Sequence, residues 1–340
     1  MEISAFFANL ALFAAKGLLV FLFIFIIILV IAFFAARAQT KHELKVENLK
    51  EKFDHYKHLL QFFSLTKNEF KKIRKAEKEL EKKEKQIESK PRAFVLSFEG
   101  DMRAQAVDQL RHEVTAVLTI AQPQDLVVLN IESPGGVVHG YGLGAAQVLR
   151  LRDKNIPVTV CVDKVAASGG YLMSVPAQKI YAAPFAILGS IGVVAQVPNV
   201  NRLLKKYDVD YKEYTAGEFK RTVSLFGEVT EKGEKKFLEQ LEETHTLFKS
   251  FVHRYRPQLE LAQIATGEHW FGEQALKLGL IDAIKTSDDY LLELSHTHQV
   301  LKITYEEKKP WNEKISKMLS LSLSSAISRV VGELETRKFF

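Results

Sequence analysis

LVVLNIESPGG, residues 126–136, is the stretch that decides the fold, because it joins a buried strand to a glycine turn. Five of its first six residues are apolar, which makes a run of strand length, and helical spacing resumes at Val137 after the turn. The same order recurs on both sides. Strands are predicted at 93–98, 126–131, 157–162, 179–183 and 186–194, and helices over 106–121, 137–151, 229–256 and 272–279. Strands that alternate with helices predict right-handed βαβ units and an α/β fold with a mostly parallel sheet.

Composition divides the 340-residue chain into five parts. Residues 17–36 (GLLVFLFIFIIILVIAFFAA) carry no charge, and a helix of that length spans the roughly 30 Å hydrocarbon core of a bilayer. The run is longer than the apolar region of a cleaved signal peptide, so we expect a retained transmembrane helix after a short flank at 1–16. A charged helical extension is predicted over 37–92, a catalytic domain over 93–308 and an amphipathic helix over 309–340.

The extension is predicted to be one helix over 42–65 that continues, more polar, over 66–88. Its first part carries an apolar stripe that must lie against a partner surface: Leu49, Phe53, Tyr56, Leu60 and Phe63. The C-terminal segment carries a similar stripe: Ile315, Leu319, Leu323, Ile327, Val330 and Leu334. That second stripe fits packing on the chain itself, a subunit contact or a membrane surface.

The net charge of +6 comes largely from residues 67–92, where eleven Lys and Arg face six Glu. The segment lacks the interleaved aromatic residues with which single-strand binders stack bases, so we expect no nucleic-acid partner. A solvated helix near anionic lipid headgroups fits better. Cys161 is the single cysteine, which excludes intrachain disulfides, and it is predicted to be a buried core residue of a strand.

A candidate nucleophile, Ser168, lies between a predicted strand and helix in the stretch VAASGGY, residues 165–171. A Ser hydroxyl needs an adjacent base to attack a carbonyl, and small neighbours such as Gly169 let a substrate approach. The helix N-terminus adds partial positive charge where an oxyanion forms. The alternative is that Ser168 only caps the helix.

Two further loops end neighbouring strands and so meet Ser168 at the carboxyl edge of a parallel sheet. Gly135 and Gly136 can point backbone N–H groups at an oxyanion, and Ser190 adds a second hydroxyl between two glycines. For the base, His139 follows the Gly-Gly loop in a predicted first helical turn. A lysine whose pKa is lowered by burial also serves, and Lys220 lies in a stretch with small and aromatic residues. Lys164 is expected to face solvent.

Several motifs in order make the chain resemble the signal peptide peptidase A family, in the branch that begins with a membrane anchor and an extra helical region. They are Ser133-Pro134-Gly135-Gly136, Ala167-Ser168-Gly169-Gly170-Tyr171, Gly189-Ser190-Ile191-Gly192-Val193, Gly217-Glu218-Phe219-Lys220 and Ala275-Leu276-Lys277-Leu278-Gly279-Leu280-Ile281-Asp282. The motifs cover about residues 93–285. The anchor and helical extension match the rest of that branch.

The resemblance implies a Clp/crotonase-like fold and a Ser–Lys dyad. Ser168 then matches the nucleophile, Lys220 the general base, and Ser190 the residue that hydrogen-bonds the lysine. The glycines at 135, 136 and 169 fall where the oxyanion hole is expected. Members of the family form ring or dome oligomers, so a homo-oligomer is expected, with no cofactor and no metal.

Together these features predict a membrane-anchored serine endopeptidase acting on signal peptides or unfolded segments. One alternative is a catalytically inactive membrane scaffold of the same fold. Another is a crotonase-like acyl-CoA enzyme, which would need neither the Ser–Lys pair nor the anchor. We expect a single-pass inner-membrane location. The positive-inside rule, read from the basic flank after residue 36, puts the catalytic domain in the cytoplasm, whereas signal-peptide degradation is often drawn on the outer face.

Overall fold

A computed structural model describes residues 16–28, 42–84 and 90–307. The strands are β1 (His42–Asn48), β2 (Arg92–Glu99), β3 (Leu126–Glu132), β4 (Val158–Val162), β5 (Val165–Ala167), β6 (Lys179–Ala182), β7 (Ile187–Gly189), β8 (His269–Phe271), β9 (Ala283–Ile284) and β10 (Gln299–Glu307). The helices are α1 (residues 16–28), α2 (Leu49–Ser64), α3 (Lys67–Glu84), α4 (Ala106–Ile120), α5 (Val138–Asp153), α6 (Gly169–Ser174), α7 (Asn201–Lys206), α8 (Glu231–Tyr255), α9 (Leu261–Ile264), α10 (Gly272–Lys277) and α11 (Ser287–Thr297).

The main sheet has seven strands in the order β1-β10-β2-β3-β4-β6-β9. The pairs β10–β2, β2–β3, β3–β4, β4–β6 and β6–β9 are all parallel, with Val95 opposite Val128 and Val128 opposite Thr159. Helices α4 and α5 return the chain between β2, β3 and β4, as parallel pairing requires. The mostly parallel α/β sheet predicted from the sequence is confirmed.

A second, three-stranded sheet carries the functional loops. Strand β5 pairs parallel with β7, and β7 pairs antiparallel with β8. The predicted strand at 186–194 is reduced to the three residues of β7, because Ser190 takes a positive φ of 53° that leaves the strand conformation. A parallel bridge between Ser133 and Ala166 links the end of β3 to β5.

Helices cover the main sheet on both faces. On one face, Phe94, Leu129 and Val160 join α4, α5 and α6 in the larger core. On the other face, Cys161 packs in a smaller cluster with Leu49 of α2 and with Leu291 and Leu294 of α11. The predicted burial of Cys161 is confirmed, and this burial raises the pKa of the thiol to about 12.

The extension differs from the single helix predicted over 42–65 and 66–88. Residues 42–48 form β1 at the edge of the sheet, and the helical part is broken into α2 and α3 at Leu65 and Thr66. Thr66 and Glu69 form a reciprocal cap at the start of α3, in which the Thr66 backbone N–H donates to the Glu69 carboxylate at 3.0 Å. Contacts of Phe62 with Phe70 and of His58 with Glu77 show that the helices run antiparallel.

Helix α1 belongs to a unit separate from the core unit Leu44–Tyr305. Among the residues that the structure describes, no helix is both long and apolar enough to cross a bilayer. The predicted span 17–36 runs into residues 29–41, which lie outside the described residues, as does the amphipathic helix predicted over 309–340. Both stay predictions.

Candidate active site

Ser168 connects β5 to α6 in a strained backbone conformation, with φ 51° and ψ −116°. A non-glycine residue in such a region costs roughly 1–3 kcal/mol and persists where neighbouring contacts hold it. Its N–H donates to the Gly189 carbonyl at 2.7 Å. The side chain makes no capping hydrogen bond to α6, so the simple N-cap alternative is wrong. Ser168 is half-buried.

The Gly-Gly loop touches the Ser168 turn directly. Gly135 has a φ of +91°, and a Cβ built there would lie 2.8 Å from both the Ser168 Cβ and the Gly169 nitrogen. Gly169 lies against the Tyr141 ring, where a Cβ would collide. The predicted convergence of these two loops is therefore observed, and only glycine permits the approach.

The three predicted oxyanion donors differ in what their N–H groups do. Gly135 donates to the buried Ser133 Oγ at 3.1 Å. Across the described ranges, the N–H groups of Gly136 and Gly169 show no hydrogen-bond acceptor. Gly169 opens α6, and the first N–H groups of a helix have no partner within it. These two amides are the ones available to an oxyanion in this structure.

A buried hydrogen-bond chain that the sequence analysis missed holds the Gly-Gly loop. The Tyr141 hydroxyl donates to the Asp101 carbonyl at 2.8 Å and lies 2.5 Å from the Ser133 Oγ. Since a tyrosine has one hydroxyl proton, Ser133 donates to Tyr141 and accepts from Gly135. Burial raises the pKa of Tyr141. No sequence pattern predicts this series of hydrogen bonds, because the bonded residues are separated by 8 and 40 positions.

Ser190 occupies the position on β7 that corresponds to Ser168 on β5. Ala167 is opposite Gly189 in the parallel pair, so each serine directly follows one of two paired strands. Paired strands lie about 4.8 Å apart. Ser190 donates its N–H to the Glu268 carbonyl at 2.7 Å, and its hydroxyl lies 3.5 Å from the Gly267 carbonyl. The backbones at the two serines are therefore neighbours.

Among the residues that the structure describes, no hydrogen bond joins Lys220 to Ser168. Lys220 lies between α7 and α8 in a stretch without helix or strand, and its side chain is exposed. Its backbone N–H donates to Gly217 at 3.2 Å, and in the part of the chain that is described its amine has no hydrogen bond or ion pair. The adjacent Phe219 ring lies 5.7 Å from the Lys232 amine.

The other two candidate bases are exposed as well. His139 lies in the first turn of α5. Lys164 pairs with Glu132 at 2.9 Å, as its predicted solvent-facing position allows. This hydrogen bond raises the pKa of the Lys164 amine, which is the opposite of what a general base needs.

A buried hydrogen bond holds helix α6 in place, and with it the turn that carries Ser168. The buried Tyr171 donates its hydroxyl to the Leu280 carbonyl at 2.9 Å. Two residues further on, Asp282 forms a two-pronged ion pair with the buried Arg256 at 2.7 and 2.9 Å. Asp282 also accepts from the Ile180 N–H at 2.6 Å, so one carboxylate ties the end of α8 to β6.

Comparison with known proteins identifies a family for this chain. The family model described as Peptidase family S49 N-terminal matches residues 5–148, and that described as Peptidase family S49 matches residues 150–301. The chain is 50% identical over 314 residues to a probable protease SohB of Haemophilus influenzae, covering 88% of this chain and 89% of that protein. It is 44% identical over 301 residues to a probable protease SohB of Buchnera aphidicola subsp. Schlechtendalia chinensis, covering 84% and 99%. A solved mutant of the 1510-N membrane-bound stomatin-specific protease is 18% identical with a TM-score of 0.34, covering 60% of this chain and 84% of that chain.

Proposed function

The chain belongs to peptidase family S49, and we propose that it is a membrane-anchored serine endopeptidase with Ser168 as nucleophile and Lys220 as general base. The observation that carries the proposal is the strained Ser168, whose hydroxyl does not cap α6 and whose turn adjoins two amides that have no partner among the described residues. Such an arrangement suits acyl transfer, in which a hydroxyl attacks a carbonyl and backbone N–H groups receive the charge. We assign the fold to the Clp/crotonase-like class.

The reaction has two halves. The Ser168 oxygen attacks the scissile carbonyl while the neutral Lys220 amine takes the hydroxyl proton, and Gly136 and Gly169 donate to the oxyanion. Collapse of the tetrahedral intermediate breaks the C–N bond, and Lys220 returns the proton to the leaving amine. Water, deprotonated by the same lysine, then hydrolyses the acyl-serine and frees Ser168. Ser190 orients the lysine.

This mechanism requires the Lys220 amine, which is exposed, to be desolvated beside Ser168. The segment between β7 and α8 shows large apolar side chains to solvent, with Val194 81% and Tyr214 89% exposed. Large apolar side chains exposed in one segment favour a protein partner. We propose that a second copy of the chain packs there in a homo-oligomer and seats Lys220 beside Ser168 and Ser190.

The uncharged run 17–36 supports a single-pass inner-membrane anchor, and the substrates we propose are signal peptides or unfolded segments. The basic flank of that run supports a cytoplasmic catalytic domain. A catalytically inactive scaffold is the alternative, but it needs neither the strained serine nor the open amides. An acyl-CoA enzyme needs no serine–lysine pair.

Hydrolysis of an unfolded protein substrate by the purified full chain tests the proposal. Ser168→Ala should abolish activity and leave the thermal unfolding midpoint close to that of the native chain, because only one hydroxyl is lost. The matched control is Ser174→Ala on the same helix, where the hydroxyl only bonds the Gly170 carbonyl at 2.9 Å. Activity of Ser168→Ala equal to that of the control would refute the serine mechanism and leave the scaffold alternative.

A further inference from the structure

Half of the apolar stripe on α2 has no cover in the described chain. Leu49 and Phe53 at the base pack on the core. Beyond them, Tyr56, Leu59, Leu60 and Phe63 are 50, 49, 70 and 79% exposed. Their spacing of i, i+3, i+4 and i+7 places them on one helix face. We name these four residues the hairpin face.

The hairpin face is held by a rigid support. The rings of Phe62 and Phe70 meet edge to face at 5.7 Å near the turn. Glu77 of α3 accepts from Lys57 at 2.8 Å and lies 2.9 Å from His58, which ties the two helices together. These contacts fix helix α2 against α3 and leave the hairpin face exposed.

The neighbouring helix α3 is basic. Five of its lysines have amines without a carboxylate partner anywhere in the ranges that the structure describes: Lys67, Lys71, Lys72, Lys75 and Lys78. Lys67 and Lys71 lie in the first turns of α3, next to the apolar end of α2. An apolar face and unpaired amines therefore meet at the turn of the hairpin.

We propose that the hairpin face docks on an anionic bilayer surface. Its Phe, Leu and Tyr side chains enter the boundary between headgroups and acyl chains, while the α3 amines bind lipid phosphates. A second copy of the chain fits less well, because a symmetric contact brings the same basic helices of both copies side by side. Five unpaired amines on each copy would then repel one another.

This docking is independent of the peptidase chemistry and concerns residues outside the site. An inactive Ser168→Ala chain should dock as the native chain does. Failure of the serine mechanism and failure of the docking are therefore separate results.

The test places a fluorescent probe on the hairpin in the full chain. Phe63→Cys is labelled with a nitrobenzoxadiazole and mixed with vesicles of phosphatidylcholine containing about one third phosphatidylglycerol and a spin-labelled lipid as quencher. The native Cys161 is buried, so it takes up little label. The matched control is Glu273→Cys, on an exposed position of α10.

We expect strong quenching at position 63, little at position 273, and loss of the difference in pure phosphatidylcholine. Lys67→Gln with Lys71→Gln should weaken partition of the hairpin by about 25-fold, at about fivefold for each lysine. Equal quenching at both positions would overturn the proposal. The proposal would also be overturned if the probe at position 63 were not quenched and energy transfer between probes on different chains rose with protein concentration. That result would show that a second copy covers the hairpin face.

Discussion

Substituting Gly135 by Ala perturbs the nucleophile without touching its hydroxyl. The new Cβ would lie 2.8 Å from the Ser168 Cβ, closer than real side-chain carbons approach, and 2.8 Å from the Gly169 nitrogen. The residue would also keep a φ of +91°, which L-amino acids avoid. Ser168 or the Gly-Gly loop must therefore move.

The expected magnitudes follow from these two effects. The positive φ destabilises by about 1–2 kcal/mol and the overpacking by about 1–3 kcal/mol, so the free energy of unfolding falls by about 2–5 kcal/mol. A domain of ordinary stability, about 5–15 kcal/mol, still folds. A displacement of about 1 Å at the nucleophile lowers kcat by about 100-fold.

Peptide hydrolysis and urea unfolding, measured on the same preparation, check both numbers. The matched control is Gly142→Ala on α5, where an added Cβ meets nothing within 4 Å and the better helix propensity should stabilise by up to about 1 kcal/mol. A Gly135→Ala enzyme with the control's kcat would refute the contact between the loop and Ser168.

Three other outcomes are expected. Burial raises the pKa of Glu113 to about 7, above its unfolded value of about 4.3, so the free energy of unfolding falls by about 3 kcal/mol as pH rises between those values. Thermal unfolding at pH 5 and pH 8 should show that Glu113→Gln removes most of this fall, and an unchanged pH dependence would contradict it. Arg256→Ala leaves the Asp282 carboxylate, which is 35% exposed, without its partner and should destabilise by about 1.5–3 kcal/mol in urea unfolding, with Arg256→Lys restoring only part because a lysine cannot form the two-pronged pair. In a pH–rate profile, Lys220→Arg should be inactive at every pH while Lys164→Gln keeps the native profile, and the reverse result would move the base to Lys164.

The sequence predicted the main sheet well because its strands are buried on both faces. In residues 126–131 only Asn130 is polar, and the observed strand at Leu126–Glu132 extends the prediction by a single residue. Helix α8, at Glu231–Tyr255, was also predicted, since it has acidic residues in its first turn and basic residues in its last turn. Gly279 has a φ of +76° just beyond α10, as the predicted helix end requires.

The misses have a common physical origin in contacts that are distant in sequence. Strand β10 pairs with β2 across some two hundred residues, and no local pattern predicts that pairing. The break between α2 and α3 contains neither Pro nor Gly, so its one signal is the pair Thr66 and Glu69.

In the candidate site, too, some positions were predictable from the sequence and one was not. Ser168, Ser190 and the glycines meet because parallel strands end at one edge, which periodicity alone predicts. The position of Lys220 depends on a segment that exposes its apolar side chains, so no burial pattern in this chain fixes it.

Trapping the acyl-enzyme tests the Ser–Lys mechanism most directly. A nitrophenyl ester of a short peptide, mixed rapidly with the full chain and quenched in acid, should leave one acyl group per active chain. Mass spectrometry should place that group on Ser168, with acylation that speeds up as pH rises and disappears in Lys220→Arg. An acyl group on another residue, or undiminished acylation in Ser168→Ala, would contradict the mechanism.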